Sequence, residues 1–149
     1  MQLDWEYKSF TDLSAAALYA IMQLRSEVFV VEQNCVYQDA DNKDMVSYYL
    51  AGWHNDVLVA YCRILPSGAA FDEPSIGRVV VSQTYRATGS GRELMQRAIA
   101  KTQEQFAQNK ITIGAQLYLQ KFYESLGFAR ISDTYLEDGI PHIEMQYKF

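Results

Sequence analysis

The chain has 149 residues, 49% of them hydrophobic and 21% charged. That suffices for one domain burying about 70% of the surface its unfolded chain would expose, and it is unlike a disordered or low-complexity sequence. Thirteen Lys and Arg against eighteen Asp and Glu leave a net charge of −5, which argues against a binder of phosphate backbones and suits either a cationic partner or plain solubility.

No run of about 18 apolar residues is available to span a membrane, and the opening residues lack a cationic-then-apolar secretory pattern. Cys35 and Cys62 stand far apart without a Cys-x-x-Cys pair, and His54 and His142 show no metal-ligand spacing with them. The expectation is a cytoplasmic protein with free thiols, no structural metal, and neither nucleic acid nor membrane as a partner.

In chain order, Leu3–Tyr7 alternates apolar and polar residues as a half-buried strand does. Ser14 caps a helix expected to run to about Val30, with Leu18, Ile21, Met22, the stem of Arg25 and Phe29 at three- and four-residue steps. The polar stretch from Glu32 to Asp44 lacks any apolar period and reads as a loop with room for one helical turn. Strands Ser47–Trp53 and Val57–Leu65 follow, joined by Asn55-Asp56 in a tight hairpin.

After Pro66-Ser67-Gly68, the run Val79-Val80-Val81 within Ile76–Ser82 has the composition of a strand buried on both faces. A long helix to about Gln108 places Leu94, Met95, Ala98, Ile99, Thr102 and Phe106 on one face. Ile111–Ala115 is a short strand and Leu117–Leu126 a helix, which Gly127 ends in the left-handed conformation. Phe128–Tyr135 and His142–Phe149 form a closing pair of strands around Asp138-Gly139. The order β-α-β-β-β-α-β-α-β-β predicts a single α/β (α+β) domain with a mixed, mostly antiparallel sheet flanked by helices.

The chemistry-bearing segment is Arg86-Ala87-Thr88-Gly89-Ser90-Gly91, between the valine-rich strand and the long helix. Glycines let backbone N–H groups turn toward one point, and the helix start adds about half a positive charge, so phosphate oxygens bind there readily. The loop lacks the Gly-Lys-Ser/Thr ending of a nucleoside triphosphate site and the GxGxxG of a dinucleotide fold. By itself it is equally well read as a structural turn.

Taken with Phe122-Tyr123-x-x-x-Gly127-Phe128 in the next helix, the Arg-x-x-Gly-x-Gly loop resembles the GNAT superfamily of acyl-CoA N-acyltransferases. The resemblance covers essentially the whole chain. Arg25-x-x-Val28-Phe29-Val30-Val31-Glu32-Gln33-x-Cys35, Tyr37-x-Asp39-x-Asp41 and Tyr135-x-Glu137-Asp138-Gly139-Ile140-Pro141-His142 are similar to the ElaA-type branch of that superfamily.

The resemblance implies acetyl-CoA as co-substrate and a primary amine, on a small molecule or peptide, as acceptor. Val79, Val80 and Val81 would then run beside the pantetheine arm, with the Val81 N–H polarising the thioester carbonyl, a contribution of about 3 kcal/mol. Residues Arg86, Ala87, Thr88, Gly89, Ser90 and Gly91 would wrap the pyrophosphate, and Arg92 would reach the nucleotide end. Gln116 stands where relatives often carry Asn, and Ala87 where they often carry Gly.

Tyr123 takes the position of the acid that protonates the departing thiolate, a phenol of reference pKa ~10 being matched to that task. Its plainer reading is a core aromatic beside Leu119 and Leu126. No base stands at Arg78 or Ser82, which leaves Glu32, Asp39, Asp41, Glu137, Asp138 and His142 as candidates. Glu32, at the end of an apolar helix, is assigned to catalysis, and Asp39, Asp41, Glu137 and His142 to the acceptor. An acyl-CoA-binding module without turnover is the alternative reading, and a homodimer through an edge strand is left open.

Overall fold

The computed structural model describes residues 2–149. Its elements in chain order are β1 (Asp4–Ser9), α1 (Ala15–Arg25), β2 (Tyr48–His54), β3 (Val57–Leu65), β4 (Ser75–Val81), α2 (Ser90–Phe106), β5 (Lys110–Gln116), α3 (Gln120–Ser125), β6 (Ala129–Arg130), β7 (Tyr135–Glu137) and β8 (Ile140–Lys148). The expected order holds, with several differences of physical origin.

The Ser14 hydroxyl accepts from the Ala17 N–H and starts α1 as predicted. The helical run ends at Glu32, close to the expected Val30, but its last part, Ser26–Glu32, is a wider π turn, with Gln33 N donating to Val28 O and Cys35 N to Val30 O. The Asn55-Asp56 hairpin is present, both residues having φ near +50° to +60° (49° and 63°), the mirror-image turn that matches strand twist.

The closing strand Phe128–Tyr135 is broken into β6 and β7. The backbone leaves the ladder at Ser132, whose hydroxyl accepts from the Glu144 N–H in place of a cross-strand carbonyl. Asp138 and Gly139, with φ of 50° and 77°, turn β7 into β8.

The mixed sheet is corrected. Among the described residues every strand pairing is antiparallel, in two sheets ordered β1-β2-β3-β4 and β5-β8-β6, with β7 also on β8. β4 and β5 meet where the Thr112 N–H donates to the Pro74 carbonyl at 3.1 Å. Beyond that bond no ladder joins them.

β4 is therefore an edge strand, covered on both faces as expected though unequally: Val80 is buried while Val79 and Val81 are half-buried. The alternation sends Val80 to one side of the first sheet, against Ile21, Leu24 and Val28 of α1 with Tyr49 and Tyr61. Val79 and Val81 pack toward the other side, where α2 places Leu94, Met95, Ala98 and Ile99 over Cys62, Ile64 and Ile76. The second sheet adds Ile111, Ile113, Ile143 and Met145 to that same core. Burying each large aliphatic side chain of this kind stabilises the fold by about 1.5–3 kcal/mol.

Candidate active site

The divergence of β4 from β5 opens a cleft of about 750 Å³. β4 contributes Gly77, Arg78 and Val79, β5 contributes Gly114 and Gln116, and Tyr123 comes from α3. The π turn supplies Phe29 and Gln33, and the β7–β8 hairpin supplies Tyr135, Glu137, Asp138 and His142.

The cleft edge of β4 is shaped by a bulge. Tyr61 pairs with Val80 and Arg63 with Gly77, so three steps on β4 match two on β3, and Arg78 takes a φ of +49°. Past the bulge the register fixes which groups face outward. The Ser82 N–H donates to Val59 O at 2.7 Å, making Val59/Ser82 a hydrogen-bonded pair. Ala60/Val81 is then the non-bonded pair between it and Tyr61/Val80, so the N–H and C=O of Val81 point away from β3. The Arg86 Nε–H occupies that outward Val81 carbonyl at 3.2 Å.

The loop after β4 folds as a cradle. Ala87 holds φ +63° and Gly89 φ +85°, and the Thr88 hydroxyl donates to Tyr85 O at 2.6 Å while lying 2.8 Å from the Ser90 hydroxyl. Gly91 sits against the Val81 side chain, and no side chain caps the start of α2. Arg92, one turn into α2, donates to the Ser125 hydroxyl at 2.7 Å and lies over the Phe122 ring, tying α2 to α3.

Tyr123 is 6% exposed, and its side chain lines the cleft with no hydrogen-bond partner among the described residues. Burial pushes its phenol well above the ordinary value, so it stays protonated throughout the physiological range. Gln116 faces Gln33 across the cleft mouth with their amides 3.4 and 3.5 Å apart in reciprocal bonds.

Three expected roles are not supported by the placement of their residues. Glu32 makes a two-pronged pair with Arg86, at 2.6 and 2.9 Å, on the surface and not in the cleft. Both carboxylate oxygens are thereby engaged by the guanidinium, away from the residues that line the cleft. Asp39 accepts from Arg25 Nε (2.9 Å), Arg78 Nε (2.8 Å) and the Tyr37 hydroxyl (2.9 Å). Asp41, though it lines the cleft, accepts from both terminal nitrogens of Arg63 at 2.8 and 2.6 Å.

With Asp44, held by Arg25 at 2.7 Å and Arg63 at 2.9 Å, these residues form an electrically neutral set of three aspartates and three arginines. Their charge is spent on one another and is not available to attract an amine. Burial alone would raise the Asp41 and Asp44 carboxyls; the adjoining arginines outweigh it and hold both below the usual carboxylate range.

Sequence reasoning missed Arg63 and the pairing of Arg25, Arg63 and Arg78 with the three aspartates. The available signal was a charge inside an apolar pattern: Arg63 interrupts the otherwise apolar strand Leu58–Leu65, and Arg25 lies on the apolar face of α1.

Glu137 and His142 are brought together at the cleft, with Glu137 Oε2 3.3 Å from His142 Nε2. The other ring nitrogen, Nδ1, lies 2.7 Å from the Ile140 carbonyl, and Tyr135 stacks on the imidazole at 6.0 Å. Among the described residues no group of three or more His, Cys, Asp or Glu is placed to hold a metal.

A cleft between splayed β-sheets, an outward strand edge and a glycine-containing turn into a helix are matched by a known family: residues 11–149 fit the acetyltransferase (GNAT) domain. The chain belongs to the GNAT acetyltransferase family.

Within it, this GNAT domain is 43% identical to protein ElaA of Escherichia coli over 145 residues, 96% of this chain and 95% of that protein. The crystal structure of Escherichia coli ElaA superimposes with a TM-score of 0.92 at 42% identity, covering 99% of this chain and 100% of that one. An acyl-CoA N-acyltransferase from Pseudomonas aeruginosa gives a TM-score of 0.93 at 41% identity, covering 98% and 99%. Among the described residues no helix is long and apolar enough to cross a membrane.

Proposed function

We propose that this GNAT domain transfers an acetyl group from acetyl-CoA to a primary amine by direct attack on the thioester. The observation that carries this reading is Tyr123, a buried residue whose protonated hydroxyl has no hydrogen-bond partner among the described residues, in the cleft opened by the edge of β4.

The outward N–H of Val81 and the bulged backbone at Val79 offer the pantetheine arm a strand edge to pair with, while Val80 contributes only packing to the far core. The turn from Arg86 to Gly91 offers N–H groups and the start of α2 to the pyrophosphate. Arg86 joins it by leaving Glu32 and Val81 O, and Arg92 flanks the nucleotide end. Gln116 borders the pantetheine from the β5 side.

As the amine nitrogen bonds to the thioester carbon, negative charge develops on the carbonyl oxygen, and a fixed N–H donor there is worth about 3 kcal/mol. Collapse breaks the C–S bond, and the Tyr123 O–H supplies the proton for the sulfur.

Glu32's engagement by Arg86 supports the alternative of an acyl-CoA-binding module without turnover. The two are separated by calorimetry with acetyl-CoA alongside mass spectrometry of a primary-amine panel. Binding together with acetylated amine and free thiol is expected of the enzyme. Binding with no acetylated amine from any acceptor indicates the module.

A further inference from the structure

We infer that His142, oriented by the Ile140 carbonyl and paired with Glu137, takes the proton from the incoming ammonium group. This rests on the acyl-transfer reading above and names the base which that reading leaves open.

A backbone carbonyl only accepts, so the contact of 2.7 Å between Nδ1 and Ile140 O requires the hydrogen on Nδ1. In the neutral ring the lone pair is then on Nε2, which faces Glu137 Oε2 at 3.3 Å. Two acceptors at that separation oppose each other unless Nε2 takes up a proton, which makes the contact an ion pair, or a donor stands just in front of them. A primary ammonium, with three N–H groups on one atom, donates to both at once.

Within the cleft lining, His142 and Glu137 are the imidazole and carboxylate that the structure pairs with each other. His142 sits between Gln116 on β5 and Tyr135 on β7, both neutral side chains in register with it. Of the other carboxylates lining the cleft, Asp41 is bound by Arg63, and Asp138 and Glu144 form no ion pair with the ring. His142 is 7% exposed, whereas the Glu137 side chain is 58% exposed. A proton collected in the cleft therefore has a route to water through Glu137.

The protons balance. One moves from the ammonium to Nε2 before the C–N bond forms and leaves to solvent by way of Glu137. The second, released from nitrogen as the amide forms, replaces the proton that Tyr123 gives the thiolate. Acetyl-CoA and R–NH3⁺ become N-acetylamine, coenzyme A thiol and one H⁺.

Two measurements test the assignment. In ¹⁵N NMR of the full-length protein labelled at histidine, the neutral His142 ring should carry its hydrogen on Nδ1, and ethylammonium chloride added with coenzyme A should shift Nε2. A ring protonated on Nε2 alone, or no response, overturns the proposal even if the protein acetylates amines.

In kinetics, His142→Gln should lower acetyl transfer to ethylamine, which is protonated at pH 7, by roughly 10²–10⁴-fold. Transfer to 2,2,2-trifluoroethylamine, which arrives neutral, should change by less than about fivefold, since it needs no such base. Equal losses with both amines overturn the proposal.

Glu137→Gln alters only an exposed side chain, so folding is safe, and it should raise the KM for ethylamine about tenfold with coenzyme A affinity unchanged. An unchanged KM removes Glu137 from the site. A wild-type protein inactive toward both amines counts against the acyl-transfer reading, while the NMR result still decides the tautomer.

Discussion

Glu32 and Arg86 illustrate how a residue's chemistry is decided by what reaches it. A carboxylate after four apolar residues reads as a desolvated base, yet the chain returns Arg86 to it from 54 positions away, and a half-exposed ion pair results. Exposed pairs of this kind contribute about 0.2–1 kcal/mol. Glu32→Gln should accordingly leave kcat unchanged and tighten coenzyme A binding by no more than about fivefold, by freeing the guanidinium. Calorimetry and steady-state rates check this, and a hundredfold loss of kcat would return Glu32 to the chemistry.

Asp39 and Asp41 carry the same lesson in the interior. Asp44→Asn breaks contacts to two arginines that are 0% and 4% exposed in their side chains. Arg25 keeps Asp39 and Arg63 keeps Asp41, but the set is left with one unmatched positive charge, which should lower unfolding free energy by roughly 3–5 kcal/mol in a urea titration. Neutralising Asp39 or Asp41 should likewise weaken the fold before it weakens acceptor binding.

At the scale of elements, turns and caps were legible wherever one residue type settles the backbone. Ser14, the Asn55-Asp56 pair, Gly127 and Asp138-Gly139 all take the conformations their chemistry favours. The misses arose where tertiary contacts override local pattern. The π turn at Ser26–Glu32 has no marker in a run of valines, and the bulge at Arg78 places a non-glycine residue at positive φ for the sake of the cleft edge.

Ala87 and Ala107 are also left-handed, at φ +63° and +52°, with no polar side chain to favour that region. Ala107→Gly, at the end of α2, and Ala87→Gly, in the phosphate turn, should each raise stability by about 0.5–1 kcal/mol. The relief of backbone strain exceeds the extra entropy of glycine in the unfolded chain. Thermal denaturation checks both, and a lowered midpoint for Ala107→Gly would show that the cap is not strained.

At the scale of the whole molecule, the element order was readable from period and punctuation, but the division into two sheets was not. Strand periodicity reports which faces are covered and says nothing about which neighbour a strand pairs with. The separation of β4 from β5 therefore appears only once Pro74 and Thr112 are seen as their last shared bond.

The net charge of −5 is similarly redistributed. Asp39, Asp41 and Asp44 cancel against Arg25, Arg63 and Arg78, leaving the β7–β8 hairpin as the acidic side of the cleft. The cancelled set has a pH signature. Asp41 and Asp44 titrate below the usual range when folded, so their contribution is full above the unfolded carboxyl pKa of about 4 and is lost as pH falls through the folded values. The melting temperature should hold between pH 5 and 7 and decline below about pH 4, and in Asp44→Asn that acid decline should be shallower.

The most direct test of acyl transfer through this cleft is Tyr123→Phe, followed by thiol release and by acetyl-CoA affinity. The substitution removes one oxygen that bonds to no described residue, so the fold and the affinity should remain within about twofold of wild type. Turnover with the best amine should fall roughly 10²–10⁴-fold because the thiolate then leaves without its acid. Wild-type turnover in Tyr123→Phe would contradict the assignment and reduce Tyr123 to a core aromatic.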